Sequence, residues 1–469
     1  MVRLRPVLIS VALLSLASSV TGQTPTPSPT PLPQDQLTLQ ARSNVVQGSG
    51  ARALGMGGAF LARADDATAA SWNPAGLSYL RVPEVSFVYS GGNIQSRATN
   101  QVTKDFSDDR RHGSEPDFLA ATFPVSIGSL SGAAQLSFQR VISFAADRTI
   151  DDNFFPAPPA AGAPVEPSFV RHSTISTKGG FDVVALGSGW QFTRTLRAGA
   201  TLNRWFNGYE QTYDKPVALG VSHQEFRYDI RAWNVNVGVI WTPAEWLNIG
   251  AVYKTGYEGR LWQSRLRRDP LPDGTGQVVI RERRVTSDDL ELDPRLIFPP
   301  AIGIGASFRP RSALTVSVDY TWTRWSDGAI HQFFDLGATG APNIFETVPY
   351  PTLIPLEIPK DTEQFRAGLE YVIIRGRLRL PIRLGYFNDR QYFRSIPGYV
   401  TVGDGPPLVV NGAPRFDALT AGAGIIIGPL LLDAAYNYEH GSYTDIDARA
   451  AVVRSHRLIA SLIYRHNRR

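Results

Sequence analysis

The sequence predicts an all-β fold, a transmembrane antiparallel β-barrel of about 14 strands. Three observations carry that prediction. First, residues 314–322 alternate without a break: Leu314, Val316, Val318, Tyr320 and Trp322 fall on one face, Thr315, Ser317, Asp319 and Thr321 on the other. A strand has a side-chain period of two, so this one has an oily face and a wet face. Second, aromatic residues mark the ends of such faces. Trp233, Val235, Val237, Val239 and Trp241 form an apolar band with an indole at each end, backed by Asn234, Asn236 and Gly238. Trp and Tyr settle at headgroup level because each pairs an apolar body with a polar edge. Third, the connections alternate along the chain between short turns and long polar stretches, as the two rims of an outer-membrane barrel do.

The elements follow in chain order. Residues 1–22 read as a secretory signal peptide: Arg3 and Arg5, an apolar run over 7–20, then small residues ending at Gly22. Residues 23–38 form a Thr/Pro-rich tether, which proline holds extended because it fixes φ and lacks an N–H. Residues 39–81 are rich in Gly and Ala and precede the barrel proper, 82–469. The expected strands are 82–91, 116–127, 132–146, 179–193, 196–209, 228–242, 247–262, 295–308, 313–325, 361–373, 379–391, 416–427, 429–440 and 454–464. Long polar loops are expected at 92–115, 147–178, 210–227, 263–294, 326–360, 392–415 and 441–453. Closure follows from energetics: lipid supplies no hydrogen-bond partners, and each unpaired backbone group there costs several kcal/mol, so a spanning sheet has no free edge. The charges agree with this register. Leu380, Ile382 and Leu384 face out against Arg379 and Arg383, and Leu430, Leu432 and Tyr436 face out against Asp433, Asn437 and Glu439.

Composition narrows the function classes. The chain has no cysteine, which excludes disulfides, thiolate metal sites and lipid attachment through a cysteine. Its net charge of +5 over 469 residues shows no concentrated basic stripe, so no nucleic-acid partner is expected. The seven histidines are scattered without metal-ligand spacing, and neither metal nor cofactor is expected.

The segment before the barrel carries motifs. Residues 49–60 read Ser-Gly-Ala-Arg-Ala-Leu-Gly-Met-Gly-Gly-Ala-Phe, and 64–77 read Ala-Asp-Asp-Ala-Thr-Ala-Ala-Ser-Trp-Asn-Pro-Ala-Gly-Leu. Gly55, Gly57 and Gly58 permit close packing in a crowded lumen. Asp65 and Asp66 suit the start of a short helix, where free N–H groups attract carboxylates. Pro74 ends that helix, and Asn73 holds the turn. This stretch resembles the N-terminal hatch, or plug, of the long-chain fatty-acid and toluene-type outer-membrane transporters, with Asn73-Pro74-Ala75 as the most recognisable piece. A second match covers residues 298–325: Pro300-Ala301, Gly303, Gly305, Ser307 and Arg309-Pro310, then a strand ending Asp-Tyr-Thr-Trp-Thr-Arg-Trp.

The resemblance implies a small hatch inside the lumen and a location in the outer membrane. It also implies passive uptake of hydrophobic small molecules, such as long-chain fatty acids or aromatic hydrocarbons, by a monomer in contact with outer-membrane lipid and lipopolysaccharide. It implies sideways release through a kink of the third strand, here 132–146, although no clear kink signal is present there. The apolar hatch residues Phe60, Leu61, Trp72, Leu77 and Leu80 are the expected ligand contacts; their alternative role is the hatch's own core. A rival reading is a docking or shuttle barrel serving a secretion apparatus. An enzyme is not expected: His440, Ser442 and Asp445 near one strand end read as an ordinary polar loop. The acidic run Asp288, Asp289, Glu291 and Asp293 and the arginines Arg265, Arg267, Arg268, Arg281, Arg283 and Arg284 are expected to neutralise each other at the rim.

Overall fold

The computed structural model describes residues 48–100, 106–144, 146–154, 169–217, 219–336, 341–349, 361–390, 399–400, 408–409, 415–444 and 449–466. The signal segment 1–22 and the tether 23–38 lie outside the described residues. Fourteen strands form one closed ring: β1 (Glu84–Asn100), β2 (Phe106–Ile127), β3 (Leu130–Ser143), β4 (Phe169–Gln191), β5 (Leu196–Phe206), β6 (Gly220–Ala244) and β7 (Leu247–Lys254). The ring continues with β8 (Ala301–Arg311), β9 (Leu314–Thr323), β10 (Thr362–Arg375), β11 (Leu378–Arg390), β12 (Arg415–Ile427), β13 (Leu430–Thr444) and β14 (Arg449–Arg465). Each pairs antiparallel with the next, and β14 closes on β1 from Glu84↔Arg465 to Asn100↔Arg449.

The alternation holds in three dimensions. On β9, Val316, Val318 and Tyr320 stand exposed on the outside, whereas Thr315, Ser317, Asp319 and Thr321 are buried inside. On β6, Trp233, Val237, Val239 and Trp241 are exposed. The outer surface is thus apolar where lipid would touch it, and the charged groups Arg383, Glu370 and Asp433 are buried within the lumen.

The expected long loops need correction. Among the described residues, stretches 92–115, 147–178, 210–227, 263–294 and 326–360 are largely strand. β1 and β2 run on through the first, and Ala146–Phe154, Gly208–Val217, Tyr257–Pro272, Val278–Thr286, Ala329–Leu336 and Pro342–Pro349 extend the wall beyond the ring. Backbone pairing needs no apolar residue, and above the membrane both faces of a strand are wet, so the period-two signal vanishes there while the ladder continues.

The N-terminal segment sits inside the ring. It comprises α1 (Ala51–Gly55), α2 (Ala69–Trp72) and a 3-10 turn (Pro74–Tyr79). Its fit rests on glycines in the wall. Gly199 pairs with Gly189 on one side and Gly238 on the other, and this row receives the Asn73-Pro74 backbone. A Cβ on Gly199 would stand 2.5 Å from the Pro74 carbonyl, and one on Gly189 2.4 Å from the Pro74 oxygen. Across the lumen, the Gly368–Gly385 pair receives Met56 and Gly57 in the same way.

Candidate functional site

The hatch is held to the wall by directed bonds as well as by contact. Asp319 of β9 accepts the backbone N–H groups of Phe60 (2.7 Å) and Leu61 (2.8 Å) through one carboxylate oxygen. Asn73 Nδ2 donates to Leu61 O (2.9 Å) and Val239 O (3.2 Å), and its Oδ1 accepts from Ala75 N (3.1 Å). Glu370 takes Arg52 at 3.0 Å and Arg383 at 2.8 Å, and Arg383 also takes Asp433 at 2.6 Å. Arg52, Glu370, Arg383 and Asp433 are thus paired with one another inside the lumen, which is the condition for burying their charges.

The two hatch aspartates divide their roles. Asp66 Oδ1 accepts from Thr68 N (2.9 Å) and Thr68 Oγ1 (2.6 Å) and so fixes the turn before α2. Asp65 caps nothing; it pairs with Arg52 (2.7 Å) and Arg63. Pro74 opens the 3-10 turn directly after α2. Gly57 and Gly58 both take positive φ, 65° and 73°, and Gly55 packs against Gly422.

Phe60, Leu61, Trp72, Leu77 and Leu80 form one buried cluster with Met56. Phe60 meets Trp72 edge-on at 6.0 Å, and Trp72 Nε1 donates to Ser49 O at 2.7 Å. These side chains are the hatch's core. Leu61 and Trp72 also border a small cavity of about 10 Å³ with Lys254 and Arg366.

The larger cavity lies above α2 and touches the hatch only at Ala70 and Ser71. Its walls come from the barrel and its links. One wall is aromatic: Trp205 stacks on Tyr257 (4.9 Å, 29°) and on Phe298 (5.8 Å, 20°), with Trp325 beside Phe298 at 6.5 Å. The facing tier is polar. Asn234 Oδ1 accepts from Asn203 Nδ2 (3.0 Å) and from Trp205 Nε1 (2.8 Å), and Asn234 Nδ2 donates to Asn236 Oδ1 (3.1 Å). Lys254 borders both cavities. An aromatic wall facing a few placed polar groups is the chemistry expected where a small hydrophobic ligand binds.

The sequence reading missed this wall. Asn203, Trp205, Asn234 and Asn236 stand on the inward face of β5 and β6, whereas Tyr257 and Phe298 come from strands outside the ring and Trp325 from a 3-10 turn. The one available signal was the motif over 298–325, whose first and last residues both reach the cavity.

The wall is interrupted beside the cavity. The β2–β3 ladder runs from Ile127↔Leu130 to Phe118↔Gln139 and the wall pairing resumes at His112↔Asp147. Among the described residues, 113–117 of β2 and 140–144 of β3 make no ladder pair with each other. On its other side β3 slips register against β4 between Arg140 and Ile142, a bulge. Pro116, which has no N–H to give, was the signal for this break. The interruption falls at the third strand, where the resemblance placed a kink.

At the rim, Asp293 is held by Arg295 (2.7 Å) and Arg260 (3.6 Å), and Arg268 by Glu282 (2.7 Å). Asp288 takes the Trp262 indole N–H at 3.1 Å and Asp289 the Thr286 N–H at 2.9 Å, so the acidic and basic runs pair only in part with each other. His440 and Ser442 are exposed at the outer end of β13, and Asp445 lies outside the described residues.

No family model matches the chain, and no curated protein matches it by sequence. Solved structures do. The chain is similar to the toluene transporter TodX of P. putida (TM-score 0.57, 13% identity, covering 90% of this chain and 100% of that one). It is similar to the monoaromatic hydrocarbon channel CymD (0.56, 12%, 91% and 99%) and to a FadL homologue of Pseudomonas aeruginosa (0.55, 13%, 90% and 99%). The fold is that of the long-chain fatty-acid and toluene-type barrel transporters.

Proposed function

We propose that the chain is an outer-membrane channel for passive uptake of hydrophobic small molecules, either aromatic hydrocarbons or fatty acids. One observation carries this reading: a cavity with a stacked aromatic wall sits directly above the hatch inside the lumen. A general pore for polar solutes has no use for Trp205, Tyr257, Phe298 and Trp325 around its bore. The structural neighbours are transport channels, which agrees. Movement would run down a gradient. The polar tier and Lys254 suit a ligand that carries a hydrogen-bonding or anionic end on its apolar body. Residues 1–22 would direct export and be removed, and 23–38 would tether the hatch.

Native mass spectrometry of the detergent-purified mature barrel, with extracted lipids identified, tests the reading. A bound hydrocarbon or fatty acid, held less tightly in Trp205→Ala, is the expected result. A ligand-free barrel carrying a stoichiometric protein partner would overturn it and favour the docking platform.

A further inference from the structure

The two rims of the barrel carry charge differently. At the outer rim, arginines open to solvent find carboxylates of their own chain: Arg227 takes Asp229 at 3.0 Å, Arg268 takes Glu282 at 2.7 Å, and Arg415 takes Asp417 at 2.9 Å. At the short-turn rim, the β8–β9 and β10–β11 hairpins stand side by side, because β9 pairs with β10. Residues 309–313 and 374–379 of these hairpins hold Arg309, Arg311, Arg375, Arg377 and Arg379 and no acidic residue. Among the described residues, no carboxylate forms an ion pair with Arg311, Arg375 or Arg377. Other turns of that rim differ: 128–129 and 428–429 carry no charge, and 243–246 carries only Glu245. The order of the chain hides this basic arc, since its two halves lie far apart in sequence and meet only when the ring closes.

Two of these arginines face the lipid side. Residues directly opposite in an antiparallel pair share a face. Arg311 pairs with Leu314 after a register slip that follows Phe308↔Val316, and Leu314 pairs with Tyr371. Phe308, Val316 and Tyr371 are exposed on the outer wall, so Arg311 stands on that wall too. Without the slip, strict alternation from Phe308 would turn it inward. Arg375 lies four residues beyond Tyr371 on β10, on the same face, and pairs with Leu378. Arg377 sits in the turn beside Gly376, which takes φ 58°. Near Arg311, the exposed rings of Trp246 and Phe308 meet edge-on at 5.5 Å. Exposed aromatic rings at the end of an apolar band mark headgroup level. The arginines therefore end their apolar outer faces where lipid phosphates lie.

We propose that Arg311, Arg375 and Arg377 form a binding site for an anionic phospholipid of the inner leaflet, of the phosphatidylglycerol class. The guanidinium groups fork onto the phosphodiester, and the acyl chains lie along Leu314, Val316 and Tyr371. Position favours a lipid over an acidic protein: Arg311 and Arg375 continue an apolar, lipid-facing wall. Net charge favours phosphatidylglycerol over a zwitterionic lipid, whose own ammonium offsets its phosphate where no carboxylate of the chain stands ready to receive it. The site is independent of what the cavity carries and rests only on the barrel's place in the outer membrane.

Native mass spectrometry of the full barrel, released from micelles doped with phosphatidylglycerol or with phosphatidylcholine, reads how firmly each lipid is held. The unmodified barrel should retain phosphatidylglycerol in preference. Arg311→Gln and Arg375→Gln should each weaken that retention about fivefold, the effect of one basic residue at an anionic lipid surface. Arg375→Lys, which keeps the charge but not the fork, should lose less. Arg194→Gln, on the β4–β5 turn away from the arc, should change nothing. Unboiled gel migration checks that each barrel is folded; if one Gln variant of the arc fails to fold, the other carries the test. Equal retention of both lipids by the unmodified barrel would overturn the site. So would an equal loss in Arg194→Gln, which would reduce the preference to net charge. An acidic protein that copurifies with the unmodified barrel and is lost in both arc variants, with no preference for phosphatidylglycerol, would overturn the lipid and assign the arc to a protein partner.

Discussion

Where the hatch meets β4, β5 and β6, backbone lies on backbone; where β2 meets β3 above Phe118, no ladder pair spans the gap and side chains hold the strands together. The first contact is bought with glycines. At Gly189, Gly199 and Gly238 the wall gives up its side chains so that Asn73 and Pro74 can press against it, and any Cβ would collide. The second contact gives up backbone bonds instead, through Pro116 and a bulge, and recovers closure from ion pairs. A seam of steric fit yields only if the fold yields. A seam of ion pairs can open and reclose with both strands otherwise intact. The difference teaches that the same wall is closed in two ways, by steric fit at the hatch and by side-chain bonds where the ladder stops.

The largest expected effect comes from breaking the steric seam. Gly199→Leu forces a side chain into the Pro74 carbonyl, at a cost at the upper end of the overpacking range of about 1–3 kcal/mol or beyond. The hatch should no longer seat, and tryptic cleavage after Arg63 should quicken more than tenfold. Unchanged cleavage would show that the glycine row is not what seats the hatch. Next is Asp319→Ala, which leaves the Phe60 and Leu61 amides without their acceptor and should cost about 2 kcal/mol. Hydrogen exchange at those two amides should rise about thirtyfold, since about 1.4 kcal/mol is a factor of ten, and Asp319→Asn, which keeps an acceptor oxygen, should lose less than half as much.

A third change leaves both seams alone. Trp205→Ala removes the ring stacked on Tyr257 and Phe298, and ligand affinity should fall by about 1 kcal/mol from lost stacking. Hatch protection should stay as it is; if it fell as well, cavity and hatch would not be separable. The smallest effect lies at the outer rim, where ion pairs are wet. His223 bonds Asp214, and then Glu225, which raises its pKa above the ordinary 6.5. The sign follows: its contribution to the rim strands is fully present below pH 6.5 and is lost as pH rises through the raised value. That contribution is small because the pair is open to solvent. An NMR titration should place His223 above 6.5 and Asp214→Asn should bring it down.

The register of every spanning strand was legible because lipid and lumen impose opposite demands on alternate residues. Thr315, Ser317, Asp319 and Thr321 could be assigned to the inside from pattern alone. That Asp319 would be the hatch's receptor could not, since its partners lie some 260 positions earlier in the chain. The apolar hatch residues show the same limit. Phe60 and Leu77 were recognisable as buried groups, but hydrophobicity states that a side chain leaves water, not whether it enters its own core or a ligand's pocket. Above the membrane the pattern failed for the opposite reason: residues such as Arg281 and Glu282 alternate nothing, although their backbone is paired with β-strand regularity.

By itself the sequence determined that this chain is a barrel with an apolar exterior, because that is written in the alternation along each strand; the plugged lumen was implied by the resemblance of residues 49–77. Only the tertiary structure decided which side chains line the cavity and where the wall is weak. Trp205, Tyr257, Phe298 and Trp325 come from separate stretches and meet only when the ring closes, and the gap between β2 and β3 exists only in how two strands are registered against each other.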